Sequence, residues 1–265
     1  LRQVGRKDEA IDHTWTQIVK YTQRQGDEKY SRSKWIEIDP KEKKTDKESE
    51  KTVNILTVKW GKRYGADYVN KLYAGIERNT TWKFKFFCFT DDATGLHESI
   101  VPMPLEEGWT GWWGKVTLFK DYPEIIGKKF YIDLDMIVTG NIDEIFSYSG
   151  TFGTLKTDDL ACEKQHKGGY NSSIMIWHGG SMLPVYEALR SNFENIKKFI
   201  VRFDFWLEMN VHNADLLQDI FPTQISDYLQ ECQKEVPQNT RIVCFPRKPK
   251  PDDYPTEWIK ERWVL

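Results

Sequence analysis

The chain has 265 residues, enough for one large domain or two small ones with a sizeable core. Its 38 Lys and Arg against 40 Asp and Glu give a formal charge of −2, which carries no electrostatic footprint for nucleic acid. No apolar run approaches a membrane span, no signal-peptide pattern is read, and Cys88, Cys162, Cys232 and Cys244 form no C-x-x-C pair that would point to zinc.

Residues 8–25 place Ile11, Trp15, Ile18 and Val19 at helical spacing, which predicts a helix with one apolar face. Residues 26–52 are dense in Lys, Glu, Asp and Ser and predict a solvated linker or stem, with a short strand or docking contact at Trp35–Ile38. The main domain is expected over residues 53–265. Strands are predicted at Val53–Val58, Phe84–Thr90, Ser99–Met103, Lys129–Ile132, Tyr170–Trp177 and Arg241–Phe245. Between them, helices are predicted at Asp67–Arg78, from Lys115–Phe119 onward, at Ile142–Phe146, and at Met182–Ser191, Phe193–Phe199 and Ala214–Ile220. Alternating strands and helices argue an α/β domain with a mostly parallel sheet, whose ligands bind beyond the C-terminal strand ends. Thr57, Asp91, Asp92, Asp133 and Asp135 all fall at such ends.

The pair Asp133 and Asp135 closes the apolar run Phe130–Ile132. Side chains at i and i+2 share one face of a strand, so the two carboxylates can converge. Two like charges in an apolar setting call for a positive partner, and a hard divalent cation that also binds phosphates meets that need. The plainer alternative is a strand end with two solvated acids. Cys88 and Cys244 sit in apolar runs and are expected to be buried thiols. Asn79-Thr80-Thr81 and Asn171-Ser172-Ser173 match the N-glycosylation pattern, which often occurs by chance.

A series of segments carries a resemblance. They are Thr57-Val58-Lys59-Trp60-Gly61, Phe87-Cys88-Phe89-Thr90-Asp91-Asp92, Gly111-Trp112-Trp113-Gly114-Lys115, Tyr131-Ile132-Asp133-Leu134-Asp135, Gly140–Phe146, Tyr170–Met175, Val243-Cys244-Phe245 and Lys248-Pro249-Lys250-Pro251. In this order, from about Val53 to Pro251, the chain resembles nucleotide-sugar glycosyltransferases of the GT-A fold. The resemblance is on the side of glycogenin and the family-eight galactosyltransferases, nearest to bacterial and large-algal-virus sugar transferases. It implies a Rossmann-like, mostly parallel sheet flanked by helices, preceded here by an N-terminal helix and charged linker. It also implies an Mn2+- or Mg2+-dependent transfer, with retention, from a nucleotide diphospho-sugar (usually UDP-linked) to a hydroxyl on a glycan, protein or lipid.

By that resemblance Asp133 touches the ribose and the metal, and Asp135 is the main metal ligand. Thr57, Val58 and Lys59 contact the nucleoside, Tyr64 stacks on the base, and Leu134 lies between the acids. Lys115 opens a helix facing phosphate, and Trp112 and Trp113 line the sugar pocket, one of them as core. Asn171 and Ser172 bond the donor sugar, which would make Asn171 a false glycosylation site. Asp215 is an acid near the transferred sugar or a helix-surface acid. Relatives place a metal-binding His after the last strand's Phe. Here Phe245 is followed by Pro246, which cannot bind a metal, and His178 and His212 are candidates by residue type alone. Arg247, Lys248 and Lys250 could neutralise the diphosphate instead.

Two other classes compete. A phosphatase of the haloacid-dehalogenase type also begins with Asp-x-Asp after a strand, but needs a Thr-like residue where this chain has Ile137. A catalytically silent nucleotide- or glycan-binding protein on the same scaffold is favoured by Pro246 and opposed by the intact acid pair. Either cytoplasm or Golgi lumen suits the chain, the latter if an N-terminal anchor precedes Leu1.

Overall fold

The structure, a computed structural model, describes residues 51–158, 160, 168–253 and 255–265. The helix predicted over 8–25, the Trp35–Ile38 patch, nearly all of the 26–52 linker and Cys162 lie outside the described residues.

Strand β1 (Thr52–Lys59) is buried from Val53 to Lys59, as expected of a strand covered on both faces of a parallel sheet. Its interior polar groups are satisfied by neighbouring backbone. Asn54 Nδ2 donates to the carbonyls of Ile126 (2.7 Å) and Lys128 (3.1 Å), and Thr57 Oγ1 donates to the Ile132 carbonyl (2.9 Å). Helix α1 (Ala66–Arg78) buries Tyr68, Val69, Leu72, Tyr73 and Ile76, the stripe that its helical spacing predicts. Strands β2 (Lys83–Thr90) and β3 (Ile100–Pro104) follow, then a 3-10 helix (Gly111–Phe119) and β4 (Lys128–Ile132). Next come β5 (Met136–Val138), α2 (Asp143–Phe146), β6 (Phe152–Lys156) and β7 (Tyr170–His178). The chain closes with α3 (Leu183–Arg190), α4 (Phe193–Ile196), α5 (Phe203–Asn210), β8 (Asp215–Leu216), α6 (Leu217–Ile220), β9 (Ile225–Asp227), β10 (Ile242–Cys244) and α7 (Glu257–Arg262).

The central sheet has the order β3-β2-β1-β4-β7-β6-β8. Only β7 runs against the others, because it pairs antiparallel with both β4 and β6. Alternate residues of each strand feed two cores. Ile55, Phe130 and Ile132 pack under α1, β5 and β10, while Leu56, Tyr131 and Trp177 pack under the 3-10 helix and α3 to α5. Cys88 and Cys244 are buried as expected, and burial pushes the Cys88 thiol up to about 12, which leaves it inert at neutral pH.

Three expectations change. The last strand, β10, does not join the central sheet but forms a second sheet in the order β5-β10-β9. The helix predicted over Ala214–Ile220 is split: Asp215 and Leu216 pair with β6 at the sheet edge, and only Leu217–Ile220 is helical. Edge pairing wins there because β6 leaves backbone groups open on that side, and the Asp215–Leu216 backbone meets them. The helix expected to open at Lys115 begins at Gly111 and is 3-10, so Lys115 sits mid-helix rather than at its N-terminus.

Candidate active site

Asp133 and Asp135 occupy the turn that carries the chain from β4 in the large sheet to β5 in the small one. They are therefore not on one pleated face. Convergence comes from the turn and from pinning: Asp133 N–H donates to the Ser173 carbonyl at 2.9 Å, one step beyond the last β4–β7 pair, Ile132 with Ile174. This holds the acid loop beside Asn171 and Ser172 at the start of β7. The small sheet brings the C-terminal segment to the other side, because β10 pairs with β5 directly after the acid loop.

A cavity of about 670 Å³ opens at this junction. Both acids, Val58, Tyr64, Leu134, Lys115, Asn171, Ser172 and Lys250 line it, as the sequence suggested. Each carboxylate meets one ammonium. Lys115 Nζ is 2.9 Å from Asp133 Oδ2 and also approaches Ser172 Oγ (3.3 Å), and Lys250 Nζ is 2.7 Å from Asp135 Oδ2. Tyr131 OH donates to the other oxygen of Asp133, and Tyr64 OH donates to Asp135 Oδ2 at 2.9 Å. Lys250 Nζ also donates to the Phe245 carbonyl. Asp135 Oδ1 accepts no hydrogen bond among the described residues.

Burial, opposed by Lys115 and reinforced by the charge of Asp135, holds the Asp133 carboxyl above the ordinary carboxylate range. Burial and the nearby Asp135 carboxylate raise the Tyr64 phenol, so Tyr64 stays a protonated donor. The cavity wall carries six cationic side chains, Arg63, Lys115, Arg202, Arg247, Lys248 and Lys250, against three carboxylates, Asp133, Asp135 and Asp204. In a chain of formal charge −2, this local surplus is a focused anion-binding field. Arg247 adds to it directly: its Nε is buried with no hydrogen-bond partner among the described residues. A buried donor left unpaired is costly and fits a bound acceptor oxygen.

Several expected contacts lie elsewhere. Thr57 and Lys59 do not line the cavity. Thr57 is spent on the Ile132 carbonyl, and Lys59 Nζ donates to the Asp92 carbonyl at 2.9 Å. Trp113 is core, edge-on to Phe193 at 5.4 Å, and Trp112 is the indole that faces the cavity. Asp215 accepts from Tyr148 OH at 2.6 Å on the sheet edge, away from the cavity. His178 and His212 do not line it either. Asn171 is buried and its Oδ1 accepts from Ser173 N–H, an arrangement unsuited to glycosylation. Trp60, Arg63, Arg202 and Asp204 line the cavity without having been singled out. Asp204 Oδ1 accepts from Ser172 N–H at 3.0 Å and so fixes the start of β7. The charges of Arg202 and Asp204 interrupting the apolar run Ile200–Leu207 were the available signal.

No protein-family model matches the chain, and no curated protein matches it in sequence. Solved structures do match. The galactosyltransferase LgtC in complex with donor and acceptor sugar analogues aligns with TM-score 0.54 at 10% identity, over 80% of this chain and 97% of that one. An active-site mutant of LgtC aligns with TM-score 0.55 at 10% identity, over 78% and 93%. The bifunctional glycosyltransferase WbbM aligns with TM-score 0.52 at 8% identity, over 78% of this chain and 48% of that one.

The chain has the GT-A fold of these glycosyltransferases.

The acid loop after β4 carries the carboxylates on which a metal can be tested. Among the described residues no group of three or more His, Cys, Asp or Glu could hold an ion. The open oxygen of Asp135 suits a hard cation held by one or two carboxylates and completed by phosphate oxygens and water, the common pattern for Mg2+. A cage built from protein ligands alone does not fit. Among the described residues no helix is long and apolar enough to cross a membrane.

Proposed function

We propose that this chain is a glycosyltransferase that moves a sugar from a nucleotide diphospho-sugar, UDP-linked, to a hydroxyl acceptor, with retention of configuration. One observation carries the reading: on a GT-A scaffold, the acid pair, the two lysines that meet it and a surplus of arginine and lysine all face one cavity at the C-terminal strand ends. The retaining outcome and the uridine base rest on the family resemblance.

A divalent cation, Mn2+ or Mg2+, is recruited together with the diphosphate, and when bound it would stabilise the leaving diphosphate as a Lewis acid. The chain's own groups do the rest. Asp135 offers its open oxygen to the cation. Lys250 and Arg247 approach the diphosphate from the C-terminal segment and neutralise charge that grows as the glycosidic bond breaks. Tyr64 holds Asp135 in place through its phenol and presents its ring to the base. Asn171 and Ser172, fixed by Asp204 and Lys115, present amide and hydroxyl groups to the donor sugar. No side chain is assigned as a covalent nucleophile.

A second reading, a binding protein that has lost catalysis, is favoured by Pro246 and by both acids being paired with lysines. A panel of UDP-sugars incubated with the protein, Mn2+ and no acceptor separates the two. Slow release of UDP from one sugar supports the transferase. UDP binding with no release from any sugar supports the silent binder.

A further inference from the structure

Among the tryptophans of the described residues, only Trp60 and Trp112 are exposed, at 51% and 56%, and both line the mouth of the same cavity. They come from different elements. Trp60 follows β1, and Trp112 opens the 3-10 helix. Gly111, at φ +64, joins them: a Cβ there would stand 3.9 Å from Trp60 Cζ2. The Arg202 guanidinium lies 5.6 Å from the Trp112 ring centre, near enough to hold the indole by a cation–π contact.

Two large apolar rings left half in water beside a polar cavity mark an interaction site. Tyr64 already presents a ring at the Asp135 end of the cavity, so the two indoles are not needed there. The character of the wall chooses among ligands. Its aliphatic members are Val58, Leu134 and Pro246, too few for a lipid chain. Aromatic faces flanked by guanidinium, amide and carboxylate groups suit a ring with C–H on its faces and hydroxyls at its edge.

We propose that Trp60 and Trp112 form a platform for a pyranose ring of the acceptor, so that the acceptor is a glycan rather than a protein side chain or a bare lipid. The proposal rests on the transferase reading above and deepens it. Arg202 orients the platform, and the acceptor hydroxyl is turned inward toward the donor sugar site at Asn171 and Ser172.

The test is an array of neutral oligosaccharides probed with the full chain in UDP and Mn2+, beside Trp60→Ala, Trp112→Ala and Trp112→Phe. UDP affinity is measured by calorimetry on the same samples. The proposal expects wild-type binding to array glycans, a loss of about tenfold in each alanine variant, and retention in Trp112→Phe, as for one lost ring contact. UDP affinity stays within about twofold of wild type in all three variants. Three results overturn it: no glycan retained by wild type, alanine variants that bind glycans as wild type does, or alanine variants that lose UDP instead. If wild type fails to bind UDP yet holds glycans through both indoles, the platform stands and the nucleotide-sugar reading falls.

Discussion

Lys250 Nζ donates to Asp135 Oδ2 at 2.7 Å, joining residues 115 positions apart in the chain. The bond ties the segment after β10 to the acid loop after β4, and it closes one side of the cavity. Both side chains are mostly withdrawn from water, at 10% and 14% exposure. Removing one partner of such a pair strands the other charge. Lys250→Ala is expected to cost on the order of 3 kcal/mol in urea unfolding. The double variant Asp135→Asn with Lys250→Met is expected to lose clearly less than the two single losses added. Additive losses would show that the pair is not coupled.

Arg247 stands beside Pro246, where the family resemblance would have a metal-binding His, and its buried Nε lacks a partner among the described residues. A diphosphate oxygen would supply one. Arg247→Ala is expected to weaken UDP by about tenfold or more, the value of a charge-assisted hydrogen bond, both with Mn2+ and with EDTA. Arg247→Lys recovers part of this, since it restores charge without the planar fork. Titrations that match wild type in Arg247→Ala would remove Arg247 from the donor site.

Thr57 separates structure from site. Its hydroxyl is buried against the Ile132 carbonyl, which joins β1 to β4 directly before the acid loop. Thr57→Val is expected to cost about 1 kcal/mol of stability and to leave UDP affinity unchanged. Asp215→Asn, at the sheet edge with Tyr148, is likewise expected to leave UDP-sugar hydrolysis unchanged. A tenfold drop in UDP affinity for Thr57→Val, or in hydrolysis for Asp215→Asn, would return that residue to the site.

Asp143 makes a clasp outside the cavity. Its carboxylate accepts from Thr80 OH (2.6 Å), Thr81 OH (2.6 Å) and Thr81 N–H (2.9 Å), tying the start of α2 to the turn after α1. Partial burial pushes this carboxyl up, but the threonine donors outweigh it and hold it below the ordinary carboxylate range. A depressed carboxyl contributes stability above its unfolded value, near 3.9, and loses it as pH falls through the folded value. The melting-temperature gap between wild type and Asp143→Asn is therefore expected to be full at pH 7 and to shrink below about pH 4. A gap that grows in acid would contradict the assignment.

Much of the fold was legible because its central strands are largely buried and read as apolar runs broken at only a few polar positions. Val53–Val58 and Phe84–Thr90 are of this kind, and α1 showed a clear 3.6-residue stripe. Short elements were not legible. β5, with three residues, and β8, with two, exist only because a partner strand is in reach, and their sequences carry no period. In the candidate site, the acids could be found from local pattern, and Lys115 and Lys250 through the family resemblance. Asp204 and Arg202 showed only as charges breaking an apolar run, and nothing local tied them to the acids, since α5 reaches the cavity by packing against β7 and the 3-10 helix. Trp112 and Trp113 differ by one position, and only the 3-10 path decides which indole faces inward. Thr57 and Lys59 spend their side chains beside the cavity, since a strand end supplies polar groups equally well to a ligand and to the neighbouring strand.

The most direct test is calorimetric titration of UDP into the 265-residue chain, once with Mn2+ and once with EDTA. The account predicts saturable binding with Mn2+ and binding at least about tenfold weaker with EDTA, because the metal joins the site with the diphosphate. Equal affinity in both conditions would contradict the metal's role. No binding in either condition would contradict the nucleotide-sugar site itself.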